Sequence, residues 1–195
     1  MKRKECSMKT SWIETASGFR LDLPNPRAEQ IKITDIAWAL SMKCHFGGAA
    51  KQFFSIAEHS VGVADVLNDL GFDRLTQLRG LLHDAAEAYL GDCITPLKEI
   101  LPEYGVIEEQ VQSAILESLG LCGADRDRDS LVKTADLAML AAEGDQLMPS
   151  KVVQWADFHP GQCFVQVGPL ACLKPFDAYT LFLTRFASLW PESVK

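Results

Sequence analysis

The chain has 195 residues, 48% of them hydrophobic, and a net charge of −7 with acidic and basic residues interspersed. That length and composition fit one globular domain over residues 1–195 with a substantial core. The acidic balance argues against binding to duplex nucleic acid, which relies on a positive surface. No apolar run is long enough to span a membrane, and no apolar run follows the basic Met1-Lys-Arg-Lys, so no signal peptide is read. Six scattered cysteines form no Cys-x-x-Cys pair, and a reducing cytoplasmic compartment is expected.

Residues 1–11 are polar and expected to be flexible. Trp12 to Leu23 reads as a short hairpin: Phe19, Leu21 and Leu23 alternate after the Ser17-Gly18 turn signal, and Pro24-Asn-Pro26 ends it. Thr34 is the expected N-cap of a helix through Ile36, Ala37, Leu40 and Ser41. Cys44-His45-Phe46-Gly47-Gly48 then breaks that helix. Two glycines allow the backbone to approach a ligand closely, with Phe46 available to stack on a base and His45 to meet phosphate. The plainer reading is an ordinary loop.

Ser55-Ile-Ala-Glu58 is a capping box opening a helix that carries His59 in its first turn and ends at Gly71. Asp73 caps the next helix, expected to run unbroken through Leu78, Leu81, Leu82, Ala85, Ala86 and Tyr89 to a stop at Gly91. The adjacent pair His83-Asp84 sits in that apolar stretch. A buried carboxylate is costly without a cation or strong partner, and imidazole and carboxylate are both good ligands for a divalent metal. Glu87 lies one turn beyond His83 on the same face, and Asp92 follows in the turn. A partly buried ion-pair helix explains the same residues without a metal.

Ile94-Thr95-Pro96-Leu97-Lys98 reads as a short helix started by proline, with Lys98 free to meet a phosphate or simply to face solvent. Pro102 starts an amphipathic helix ending at Gly120. The charged run Ala124 to Asp129 reads as a solvated loop. Ser130 is expected to cap a helix in which Asp136 again places a carboxylate among apolar residues, and two such helices in one small domain favour a shared ion. Met148 to Pro175 reads as a long loop with one short strand, and His159 there as a surface residue. Asp177 is the expected cap of a final helix with Tyr179, Phe182, Leu183, Phe186 and Leu189 as its buried stripe.

His59 in Ala-Glu-His-Ser, then His83-Asp84, then Asp136 in Lys-Thr-Ala-Asp resembles the H…HD…D signature of the HD-domain metal phosphohydrolases. The similarity extends over roughly residues 12–190. Phe54-Ser-Ile-Ala-Glu-His59-Ser, Leu82-His-Asp-Ala-Ala-Glu-Ala-Tyr-Leu-Gly-Asp92 and Pro96-Leu-Lys98 resemble small phage and bacterial HD hydrolases acting on deoxynucleotides. These include 5′-deoxynucleotidases and phage dATP triphosphohydrolases. The resemblance implies an all-α HD-domain bundle with a small N-terminal hairpin and a long loop before the last helix. It implies one divalent ion (manganese, cobalt, zinc, nickel or iron, with magnesium for a triphosphate substrate) on His59, His83, Asp84 and Asp136. Glu87 and Asp92 would be catalytic. His45, Phe46, Lys98, Pro96 and Trp38 would bind substrate.

The chain departs from the family pattern at His45, where an arginine is common, and at Trp38 and Ala49, where histidines are common. The partner implied is a small-molecule nucleotide, with no duplex nucleic acid and no membrane, and the chain would form a homo-oligomer. If phage-encoded, it would work in the host cytoplasm. A metal-retaining nucleotide sensor and a helical adaptor with a metal staple stand as the rival classes.

Overall fold

The computed structural model describes residues 11–121, 123, 125–149 and 167–190. Among them are two short strands and eight α-helices, so the fold is all-α with a small N-terminal hairpin. Strands β1 (Trp12–Glu14) and β2 (Arg20–Asp22) pair antiparallel, with Ile13 opposite Leu21. The hairpin is pinned to α1 (Ile33–Met42) by the buried carboxylate of Asp35. It accepts hydrogen bonds from the Thr15 hydroxyl at 2.7 Å and from the Ser17 amide and hydroxyl at 2.9 and 2.7 Å. With Asp35 committed there, α1 starts on Lys32, whose carbonyl accepts from the Asp35 and Ile36 amides. Thr34 is therefore inside the helix, not its cap.

Helix α2 (Ile56–Asp69) lies at the centre, packed on α3 (Arg74–Leu81), α7 (Arg126–Leu147) and α8 (Pro175–Leu189). It opens on the expected capping box: Ser55 Oγ accepts from the Glu58 amide at 3.2 Å, and Glu58 Oε2 accepts from the Ser55 amide. The other Glu58 oxygen accepts from the Leu173 amide at 2.9 Å, tying down the chain that enters α8. Asp73 caps α3 as expected, accepting from the Thr76 amide at 2.8 Å.

The first core, around Ile36, Leu40, Leu78, Leu81, Leu82, Ile115 and Phe182, lies among α1, α2, α3, α6 (Pro102–Ser118) and α8. A second core, with Val63, Val66, Leu67, Val132, Ala135 and Met139, joins α2 to α7. Two glycines bring the helices close. A Cβ on Gly62 would stand 2.4 Å from the Met139 methyl, and one on Gly80 would stand 2.4 Å from Leu67 Cδ1. Gly62 lies one turn beyond His59, Gly80 one turn before His83, and Met139 one turn beyond Asp136. These close approaches therefore flank the residues that matter chemically.

The helix expected across residues 78–90 is interrupted. Helix α3 ends at Leu81, and a short α4 (Glu87–Leu90) begins only after the turn holding His83 and Asp84. The cause is Gln112 of α6. Its amide donates to the Leu82 carbonyl at 2.7 Å and accepts from the Ala86 amide at 3.1 Å. These are the two groups that would bond each other in a continuous helix, and the side chain is spliced between them.

Two further boundaries differ from expectation. The residues of the charged run from Arg126 to Asp129 form the first turn of α7, capped by Asp125, because Asp127 and Asp129 are favourable at a helix N-terminus. Ser130 therefore lies within α7. Helix α8 starts at Pro175 on an extended Lys174, where a proline needs no amide partner, so Asp177 is already helical. Helix α5 (Thr95–Ile100) carries Pro96 in its first turn. Residues 167–174 are neither helix nor strand. The remainder of the expected long loop, its short strand, His159 and residues 1–10 lie outside the described residues. No described helix is long and apolar enough to cross a membrane.

Candidate metal centre

Helix α2 supplies His59, the turn between α3 and α4 supplies His83 and Asp84, and α7 supplies Asp136. Their polar atoms converge. His59 Nε2 lies 3.3 Å from His83 Nε2, 3.2 Å from Asp136 Oδ1 and 3.6 Å from Asp84 Oδ2. His83 Nε2 lies 3.1 Å from Asp84 Oδ2 and 3.7 Å from Asp136 Oδ1. Ligands about 2.0–2.2 Å from one ion stand roughly 3.0–3.6 Å apart at adjacent coordination positions, so these edges suit one divalent cation.

Hydrogen bonding prepares both imidazoles for that role. His83 Nδ1 lies 2.7 Å from the Gly80 carbonyl, and His59 Nδ1 lies 2.8 Å from Glu143 Oε1. Both contacts are to acceptors, so a proton on each Nδ1 is satisfied there, and each Nε2 faces the cluster, where a cation could take the place of its proton. Burial opposes charge on His83, but Asp84 and Asp136 outweigh it and push the imidazole up to about 10. Burial likewise opposes charge on His59, and Glu143 and Asp136 hold it well above its ordinary value. Burial would raise the carboxyls of Asp84 and Asp136, but the two imidazoles hold both below the usual carboxylate range. The centre thus stabilises positive charge. Protons supply it poorly, since two Nε2–H groups would face each other at 3.3 Å. A divalent ion could be held by both Nε2 atoms, and the donor set of two nitrogens and two carboxylates would suit it.

Glu87 opens α4 beside this cluster and is buried. Its Oε1 lies 3.3 Å from Lys98 Nζ, and its Oε2 is buried without a hydrogen-bond partner. Burial, reinforced by Asp84 and Asp92 against the pull of Lys98, pushes its carboxyl up to about 8. Lys98 is shared with Glu108 at 2.7 Å. Lys43 fixes the backbone here, donating to the Glu87 carbonyl at 2.7 Å and to that of Ala88. Burial brings the Lys43 amine down to about 8, with Glu87 opposing the change.

Asp92 Oδ2 accepts from the Gly47 amide at 2.7 Å, which joins the Gly91–Asp92 turn to the loop at Phe46–Gly48. Phe46 there adopts φ +57°, a left-handed conformation costing roughly 1–2 kcal/mol in a non-glycine residue. The His45 ring is buried and lies against His59, with centroids 4.3 Å apart. Pro96 is exposed on α5, and Trp38 on α1 sets its ring edge-on against Tyr179 of α8. The structure therefore joins His59, His83, Asp84 and Asp136 in one cluster, Glu87 to Lys98, and Asp92 to the Gly47 loop.

A cleft of about 650 Å³ reaches the cluster between the α3–α4 turn, α6 and α7. It is lined by His83, Asp84 and Asp136 together with Arg79, Gln112 and Lys133. Lys133 Nζ lies 2.7 Å from Asp136 Oδ2 and is largely exposed. Sequence reasoning gave no role to Lys133, Gln112 or Glu143. The available signal for Glu143 was its spacing, seven residues after Asp136 and so two turns along the same face of α7.

The fold and the site define an all-helical protein with a buried cluster of histidines and acidic residues able to hold a metal ion. No family model matches the chain. It is 35% identical over 182 residues to the uncharacterized protein YfdR of Escherichia coli K12, covering 92% of this chain and 96% of that protein. It is 32% identical over 146 residues to the uncharacterized protein RCAP_rcc00048 of Rhodobacter capsulatus, covering 72% and 74% of the two chains. The chain belongs to the family of YfdR.

Proposed function

We propose that this protein is a metal-dependent HD-type phosphohydrolase of 2′-deoxynucleotides that favours deoxynucleoside triphosphates, dATP among them. The observation that carries the reading is the convergence of His59, His83, Asp84 and Asp136 at edges of 3.1 to 3.7 Å, with a buried carboxylate next to it. His59, His83, Asp84 and Asp136 would hold a divalent ion, which would supply a water of lowered pKa and positive charge toward a phosphoryl group. Glu87 is the acid–base group: its Oε2 is buried beside the cluster without a hydrogen-bond partner.

Lys98 holds Glu87 from one side and offers positive charge to a phosphate. Lys133, at the mouth of the cleft, meets the same charge from the α7 side. Asp92 holds the Gly47 loop against the turn that follows α4, where Phe46 would meet a base. Pro96, His45 and Trp38 remain substrate contacts by family resemblance. A homo-oligomer and a cytoplasmic location belong to the same proposal.

The test is a product assay with manganese, cobalt or magnesium and a panel of dNTPs, dNMPs and NTPs, identifying nucleoside and phosphate products together. Turnover of dNTPs with the released phosphate species identified is the expected result. Turnover confined to monophosphates would replace the triphosphate reading with a 5′-deoxynucleotidase. No turnover by folded, metal-loaded protein would refute the enzyme reading and favour a nucleotide-binding module.

A further inference from the structure

Glu143 is fully buried on α7, 84 positions from His59, and its two oxygens face two different imidazoles. Oε1 accepts from His59 Nδ1 at 2.8 Å. Oε2 lies 3.1 Å from His45 Nδ1, within ion-pair distance but without hydrogen-bond alignment. His45 in turn begins the loop that Asp92 holds. Its amide donates to the Phe54 carbonyl at 2.8 Å, its carbonyl accepts from the Gly48 amide at 3.1 Å, and Gly47 donates to Asp92. One carboxylate therefore stands between a metal ligand and the loop of the proposed substrate pocket.

We propose that Glu143 is a positioning residue of the metal centre. It fixes the His59 ring with one oxygen and draws His45 with the other, so that filling the centre orders the His45–Gly48 loop. The physical basis is the carboxylate–histidine–metal arrangement. A carboxylate on the far nitrogen fixes the ring's tautomer and rotation and raises the basicity of the ligating nitrogen. Positive charge at Nε2 polarises the ring and strengthens the Nδ1–H bond to Glu143. The carboxylate that responds is the one His45 shares. The loop can respond to it because Phe46 holds a strained backbone that needs local support. The inference rests on the four-residue centre binding a cation, as in the proposed function.

The experiment titrates wild-type and Glu143→Gln protein with Co(II) alone against a competing chelator, following visible absorption and the unfolding midpoint of the metal-free proteins. Glutamine keeps the shape and an acceptor for His59 but removes the charge. The expected result is an affinity about 10- to 100-fold weaker with an altered absorption band. A folded variant whose affinity stays within about twofold of wild type overturns the assignment.

The second measurement needs no variant. Hydrogen exchange of the wild-type peptide containing residues 44–48 is followed with and without Co(II). Slower exchange with the ion supports the coupling, and unchanged exchange overturns it. Wild-type protein that takes up no Co(II) refutes the metal-centre reading itself, which is a separate failure.

Discussion

Glu87 is a buried carboxylate with one oxygen shared with Lys98 and the other left without a partner beside the cluster. If it moves a proton, Glu87→Gln should lower turnover by about 10²- to 10⁴-fold. Metal content should be unchanged, because all four candidate ligands remain. Metal analysis and steady-state kinetics on the same preparation check both halves, and activity at the wild-type level would remove Glu87 from the chemistry. Asp84 and Asp136 were legible because each puts a charge where burial is costly: they interrupt apolar stretches, and the cost of burying them asks for a cation. His59, alone in the first turn of its helix, carries no such signal and entered only through the family resemblance. Glu143 carries the same signature as the two aspartates but ends a run of small residues near a helix terminus, where an acidic residue draws no notice. What singles it out is the contact with His59, and no local pattern encodes a partner 84 positions away.

The turn between α3 and α4 shows where local pattern fails at the scale of an element. Residues 78–90 have apolar spacing and helix-forming composition throughout, so periodicity alone extends one helix to Gly91. The interruption is imposed from outside by Gln112, with Lys43 holding the carbonyls that follow. The splice turns His83 and Asp84 toward α2 and α7 and starts α4 at Glu87. Gln112→Ala should let the Leu82 carbonyl and Ala86 amide bond each other, so the stability loss should be modest, about 1 kcal/mol by denaturant unfolding. The geometric loss should be larger, because a closed helix re-aims His83, Asp84 and Glu87 together. A drop in metal affinity of about tenfold or more is expected from the same chelator competition. Unchanged affinity would show that the interruption is stable without the amide. The capping box at Ser55 and the cap at Asp73 were legible for the opposite reason, since donor and acceptor are three residues apart and need no other element.

At the scale of the whole molecule, the candidate ligands come from three places that the two cores hold together: α2, the α3–α4 turn and α7. Close packing at Gly62 and Gly80 sets the separations, and the cluster sits one turn from each contact. Their meeting point confines the polar atoms of Asp84, Asp136, His59 and His83 to separations of 3.1 to 3.7 Å. A bound ion would cross-link all three elements, so native-state stability should depend on free metal. One site filled at a hundred times its dissociation constant contributes about 2.7 kcal/mol. For a domain of this size that corresponds to roughly 5–10 °C in unfolding midpoint. Thermal unfolding should therefore shift down by that amount when a chelator strips the protein, and rise again with added manganese or cobalt in a concentration-dependent way. Asp136→Asn removes the charge of the candidate ligand on α7, and its midpoint should respond much less to both treatments. A wild-type midpoint unmoved by chelator and by millimolar metal would mean that the cluster is held by its own ion pairs, and the hydrolase reading would lose its physical basis.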